Sequence, residues 1–249
     1  MIPYLELSMW SRGVRVVGGV NDAPILFGDP HGQTRQARMP INWWLMPGQN
    51  LLTVRVELLA GAEPPLLDVA IAFPEDEDPP LCRVGWGMPD GVEFAPFDVR
   101  LPFHPPKVGQ SRVWHDATVI EDLSEPQRKG AKALAMEIHG AFANRDVDAI
   151  MKRLDYRLEE MVLAFEVDPN THPAGVREDM EGLVQRAGYG VEPLDQDAIQ
   201  VNPCCGGRIF QLARADGGPL IRTLETETSA PTTMQVYAAL IRGEWRVVR

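Results

Sequence analysis

The chain has 249 residues, 45% of them hydrophobic and 24% charged, and its 24 Lys and Arg against 35 Asp and Glu leave a net charge of −11. That much apolar material supports one large core or two small ones and excludes disorder as the main state. The acidic balance, with a pI near 4.9, argues against wrapping nucleic acid or lying on an anionic membrane, since both need clustered Lys and Arg to displace counterions.

The opening run MIPYLELSMW lacks the basic and apolar regions of a secretory signal, and no stretch approaches the ~20 apolar residues of a membrane span. Three cysteines, Cys82, Cys204 and Cys205, are too few and too oddly placed for a disulfide framework. Both observations predict a cytoplasmic protein.

From Met1 to about Ile120 short runs of period two are separated by Gly, Pro, Asn and Asp, which predicts an all-β sandwich. Tyr4 to Met9, Val14 to Val17 and Pro24 to Phe27 are the first strands; Leu51 to Leu59, Leu66 to Phe73, Leu81 to Trp86 and Arg112 to Ile120 follow. The pairs Pro64-Pro65, Pro79-Pro80 and Pro105-Pro106 mark loops or edges, because proline cannot donate to a ladder. Pro40 to Met46 reads as a strand, Pro47-Gly48-Gln49-Asn50 as a turn and Leu51 to Val56 as the return strand. Together with Val20-Asn21-Asp22 this stretch resembles the N-terminal jelly-roll modules attached to some glycosidases. The resemblance implies a jelly-roll or Ig-like sandwich for this half.

At Asp122-Leu123-Ser124-Glu125-Pro126 the period changes. Ser124 is placed as an N-cap, and Ala131, Leu134, Ala135, Ile138 and Phe142 then recur on one helix face. A second helix is predicted after Asn144-Arg145-Asp146, with Val147, Ile150, Met151, Leu154, Leu158, Met161, Val162 and Phe165 as one continuous stripe. Asp168-Pro169-Asn170 stops it, and a third helix runs from about Pro173 to Ala187, ending on Gly188. Beyond Gly190 the period returns to two: Ala198 to Val201, Arg208 to Arg214, Leu220 to Thr228, Thr232 to Arg242 and Trp245 to Arg249 predict a four- to five-stranded antiparallel meander. Three helices followed by such a sheet, closed by a hairpin carrying Trp245, resemble the NTF2-like and cystatin-like α+β folds. The expected organisation is a β-sandwich domain over 1–120 and an α+β helix-on-sheet domain over 121–249. They carry −5 and −6 respectively, so neither half is a charged tail.

No Gly-x-Ser-x-Gly elbow, GxGxxG, Walker loop or HExxH occurs, so no nucleophile, phosphate loop or metal pair is predicted, and no cofactor. The acidic run Glu75-Asp76-Glu77-Asp78 reads as a solvated loop, lacking the ligand spacing and glycine of a calcium loop. Adjacent Cys204 and Cys205 lack the two-residue gap of a metal-gripping pair and read as structural thiols. His172 reads as cap chemistry, and Glu225 and Glu227 as a solvent face near Arg214 and Arg222. The NTF2-like resemblance implies a cone between helices and sheet, in which Tyr156, Tyr237, His139 and Asp197 are the candidates for ligand binding or general base and oxyanion roles. Trp43 and Trp44, adjacent on a predicted strand, point to opposite faces, which makes one of them a candidate for partner binding.

These readings favour a non-enzymatic, protein-binding adaptor. One concrete form is an acidic neutraliser of a basic partner, as bacterial immunity proteins are. The first alternative is an NTF2-like enzyme or small-ligand binder using the cone; the second is carbohydrate recognition by the sandwich. The expected partner is a protein, with no nucleic acid and no membrane, and the oligomeric state is open.

Overall fold

The computed structural model describes residues 4–59, 65–74, 79–87, 96–105, 111–225 and 230–249. The chain divides into two compact units, Met1–Ser111 and Arg112–Arg249, each described by itself.

The first unit is all-β. Its strands are β1 (Glu6–Arg12), β2 (Val14–Val20), β3 (Ala23–Phe27), β4 (Arg35–Pro40), β5 (Asn50–Leu58), β6 (Leu66–Ala72), β7 (Cys82–Gly87) and β8 (Phe97–Phe103). They form two antiparallel sheets, ordered β4-β1-β6-β7 and β3-β2-β5-β8. Alternation sets the inner faces: Leu7 and Met9 of β1, Val14 and Val16 of β2, Leu52, Val54 and Val56 of β5, and Leu67, Val69 and Ile71 of β6 are all buried. The sheets face each other, since Leu7 and Val69 of the first lie 3.8 and 3.5 Å from where a Cβ would stand on Gly18 of the second.

Two strands escaped the sequence reading. β4, Arg-Gln-Ala-Arg-Met-Pro, is an edge strand exposed along most of its length and so carries no apolar period. β8, Phe-Asp-Val-Arg-Leu-Pro-Phe, does alternate and pairs with β5 from Asn50↔Phe103 to Val56↔Phe97.

The strand expected over Pro40 to Met46 ends at Pro40, and Asn42–Trp44 is a turn of 3-10 helix. Three buried asparagines cause this departure. Asn42 Oδ1 accepts from Leu5 N–H at 2.8 Å. Asn21 Nδ2 donates to Trp44 O at 3.0 Å and to Asn50 Oδ1 at 2.8 Å. The side chains thus satisfy backbone groups that a ladder would otherwise have paired.

The second unit begins with α1 (Val113–Asp116), followed by α2 (Glu125–Ala143), α3 (Val147–Arg153), α4 (Asp155–Phe165) and α5 (Thr171–Val184). The strands are β9 (Gln200–Cys204), β10 (Ile209–Ala213), β11 (Ile221–Arg222), β12 (Thr233–Met234), β13 (Val236–Ile241) and β14 (Glu244–Val247). β14-β13-β10-β9 form an antiparallel sheet, and β11-β12 a separate two-stranded one. Helices pack on the four-stranded sheet: Leu134, Ile138 and Phe142 of α2 and Ile150 of α3 share one core with Phe210, Leu212, Val236 and Ala238. Trp245 lies edge-on to Phe210 with ring centroids 5.5 Å apart, and its Cδ1 comes within 2.8 Å of where Gly130 of α2 would carry a Cβ.

Three expectations are corrected here. Residues 112–120, read as a strand, instead form α1 and an extended tail tied to this unit, with Ala117 bridged to Ile241, Thr118 N–H on Leu240 O and Ile120 N–H on Gly207 O. The single second helix is two, α3 and α4, broken at Leu154 with φ −92° and ψ 0°. Leu220 to Thr228 contributes only the short β11, and residues 226–229, Glu227 among them, lie outside the described residues. α2, in contrast, begins as its sequence predicts, with Ser124 and Gln127 forming a capping box and Pro126 in the first turn.

Candidate functional site

The break at Leu154 decides which side of α4 turns inward. Asp155 accepts from Tyr156 N–H at 2.6 Å, and α4 then buries Tyr156, Leu158, Glu160 and Ala164. Tyr156, Glu160 and Ala164 follow i, i+4 spacing and form one face. Met161 and Val162, placed on the stripe by uninterrupted periodicity, are only half-buried.

Glu160 is fully buried. Its carboxylate accepts from the N–H groups of Arg112 at 3.0 Å and Val113 at 3.3 Å, and from Arg249 Nη1 at 3.4 Å. Arg249 is itself buried, stacks over Trp114 with Cζ 5.7 Å from the ring centroid, and donates to Val248 O at 2.7 Å. Burial lowers the Arg249 pKa to about 10 even though Glu160 favours its charge. The pair therefore fastens the N-terminus of α1 to α4 and to the segment after β14. Beside it, the Tyr156 hydroxyl donates to Asp116 Oδ2 at 3.2 Å, and Arg112 lies over the ring at 5.4 Å. Burial pushes the Tyr156 phenol well above its ordinary value, with the charges of Glu160 and Asp116 adding to the effect.

The residues expected around a shared cone do not converge. Tyr237 alternates with Val236 and Ala238, both in the helix–sheet core, so its ring lies on the opposite sheet face. His139 is buried with Nε2 2.9 Å from Glu192 O. Asp197 is exposed; its carbonyl accepts from Lys132 Nζ at 2.8 Å and its N–H donates to Asp195 Oδ1. Among the described residues apolar side chains of helices and sheet share one core, and the Tyr189 hydroxyl within it donates to Phe142 O at 3.0 Å.

Trp43 and Trp44 are also relocated. Both are buried, at 7% and 2% exposure, with rings edge-to-face at 6.5 Å, so neither presents a surface platform. Period-two alternation fails for them because they sit on the 3-10 turn. The three cysteines are buried and none is in a disulfide; Cys204 Sγ lies 3.2 Å from Ile209 O. Glu75 to Asp78 lie outside the described residues. Among the described residues no three His, Cys, Asp or Glu side chains gather to hold a metal ion.

Open concave space lies beside α4 and the start of α5. A cavity of about 590 Å³ is lined by the apolar Met151, Leu158, Val162, Leu163, Pro169 and Pro173 together with Arg112, Asp155 and Glu159. Leu163 is 41% exposed. Both acids of the lining are paired, Glu159 with Arg112 Nη2 at 2.5 Å and Asp155 with Arg246 Nη1 at 3.9 Å. The sequence held a signal for this site in Leu163, an apolar residue next to Val162 and off the periodic stripe, and in the Pro169 and Pro173 bracket.

No family model, curated protein or solved structure matches this chain.

Proposed function

We propose that the protein is a non-enzymatic binding protein that receives an apolar segment of a basic protein partner in the groove between α4 and the start of α5. The observation that carries this reading is the groove itself: six apolar residues around about 590 Å³, on a chain of net charge −11. An apolar floor supplies affinity, and the surrounding negative field steers a basic partner and sets its orientation. The internal engagement of Tyr156 and His139 favours binding over catalysis, because groups whose bonding capacity is spent on the fold are poorly placed to move protons. Within this proposal the second unit is read as NTF2-like or cystatin-like, supported by helices on an antiparallel sheet, and the first as a jelly-roll or Ig-like sandwich.

The test is affinity purification in low salt of the intact chain and of Leu163→Glu, with thermal melting of both to check that the fold is intact. The expected result is a stoichiometric basic partner with the unaltered chain, lost with Leu163→Glu and weakened by salt. Recovery of the same partner by both proteins, or of none by the unaltered chain, overturns the reading.

A further inference from the structure

We infer that the outer face of the β4-β1-β6-β7 sheet binds an acidic oligosaccharide, with Trp10 as its stacking platform. This site lies in the first unit and goes beyond the groove reading.

The face follows from register. Leu7 and Met9 are buried, so Ser8 and Trp10 point to the other side of the sheet. Pairing then sets two rows across the four strands. One runs Arg38–Ser8–Ala70–Arg83, the other Gln36–Trp10–Asp68–Gly85. In the first row two short side chains lie between two arginines, giving a low floor that spans three strand spacings, roughly 14 Å. In the second row Trp10 stands beside that floor, with Gly85 adding no side chain at the far end. The span accommodates a short run of linked pyranose rings.

Trp10 is 44% exposed, and it is the one tryptophan left exposed among the described residues. Its electron-rich ring face suits the slightly positive C–H face of a pyranose. Next to it, Arg83 grips Asp68 through two bonds of 2.8 Å, from Nε to Oδ1 and from Nη2 to Oδ2. That fork holds planar donors and acceptors in fixed orientation at the surface, where sugar hydroxyls are read with little ordering cost.

Charge selects the sugar class. On this face Arg12, Arg38 and Arg83 stand against Glu6 and Asp68, whereas Arg35, paired with Ser11, belongs to the other face. A local basic excess within a chain of −11 complements a carboxylate-bearing ligand. A nucleic acid would need far more positive charge than this sheet offers.

The test is calorimetric titration of the intact chain with hexagalacturonate, cellohexaose and a ten-residue oligo-dT. Hexagalacturonate is expected to bind, cellohexaose about tenfold more weakly, and Trp10→Ala and Arg38→Ala are each expected to weaken the acidic sugar about tenfold. Both altered residues are exposed, and unchanged thermal melting confirms that the fold is intact. The variant Leu163→Glu keeps full sugar affinity, which separates this site from the groove. The proposal is overturned by absence of binding at millimolar hexagalacturonate, by binding unchanged in Trp10→Ala, by equal affinity for cellohexaose, or by tighter binding of oligo-dT.

Discussion

Asn21 and Asn50, 29 residues apart, meet side chain to side chain in the first unit, with Asn21 Nδ2 donating to Asn50 Oδ1 at 2.8 Å. Asn50 also accepts from Met46 N–H at 2.8 Å and donates to the carbonyls of Met46 and Gly48. Asn21 Oδ1 in turn accepts from Leu51 N–H at 3.0 Å. The two turn sequences that suggested a sandwich are thus halves of one hydrogen-bonded knot.

Replacing Asn50 with Ala strands several buried groups at once, each costing about 1–3 kcal/mol. Urea denaturation of Asn50→Ala should show a loss of order 3 kcal/mol, whereas Gln49→Ala, on an exposed neighbour, should stay within about 0.5 kcal/mol. Equal effects would show that the knot is incidental.

Glu160→Gln removes the charge facing buried Arg249, whose side chain is 1% exposed. Leaving an arginine charge buried without its counterion costs about 3–5 kcal/mol. Combining it with Arg249→Met should recover part of that loss, and the coupling is read from a double-mutant cycle by chemical denaturation. Strict additivity would mean that the two residues act independently.

Alkaline pH should destabilise the protein, and Tyr156 should carry part of the effect. A phenol whose folded pKa stands above its unfolded value of ~10 stays protonated in the folded chain while the unfolded chain ionises. Its contribution is therefore whole below about pH 10 and falls as pH rises toward the folded value. Tyr156 and Tyr237 are both raised, chiefly by burial. Arg249 and Arg157, lowered by burial to about 10, act with the opposite sign in the same range. The decisive comparison is therefore between two proteins: the fall in urea midpoint from pH 9 to 11 should be shallower for Tyr156→Phe than for the unaltered chain.

Gly207→Ala should destabilise the second unit by more than about 1 kcal/mol. The residue has φ +74°, and an added Cβ would stand 2.3 Å from Ile120 O. Its own carbonyl accepts from Ile120 N–H, so the residue 112–120 tail docks through this glycine. Thermal melts of Gly207→Ala and of Gly217→Ala, which has a similar φ but open space around it, separate the clash from the backbone strain common to both.

Much of the architecture was legible in the residues. Alternation placed β1, β5 and β6, and the Ser124 and Gln127 pair announced α2. Periodicity failed where a side chain from a distant segment replaced a local partner. Trp43 and Trp44 leave the strand because Asn21 and Asn42 satisfy the backbone around them, and α1 forms where a strand was expected because Glu160, 47 residues on, takes up the N–H of Val113. The candidate groove was missed for a related reason: the turn at Leu154 rotates α4, leaving Val162 half-buried and Leu163 exposed at a cavity.

By itself, then, the sequence determined the acidic character of the chain, an all-β first half and a helix-then-sheet second half, because composition and period are local properties that each residue carries with it. Only the tertiary structure decided which aromatic side chains face solvent, that Tyr156, His139, Asp197 and Tyr237 do not share a pocket, and that Glu160 finds Arg249. Those outcomes depend on the register between strands, the angle at which helices break and the pairing of charges distant in sequence, none of which a local period encodes.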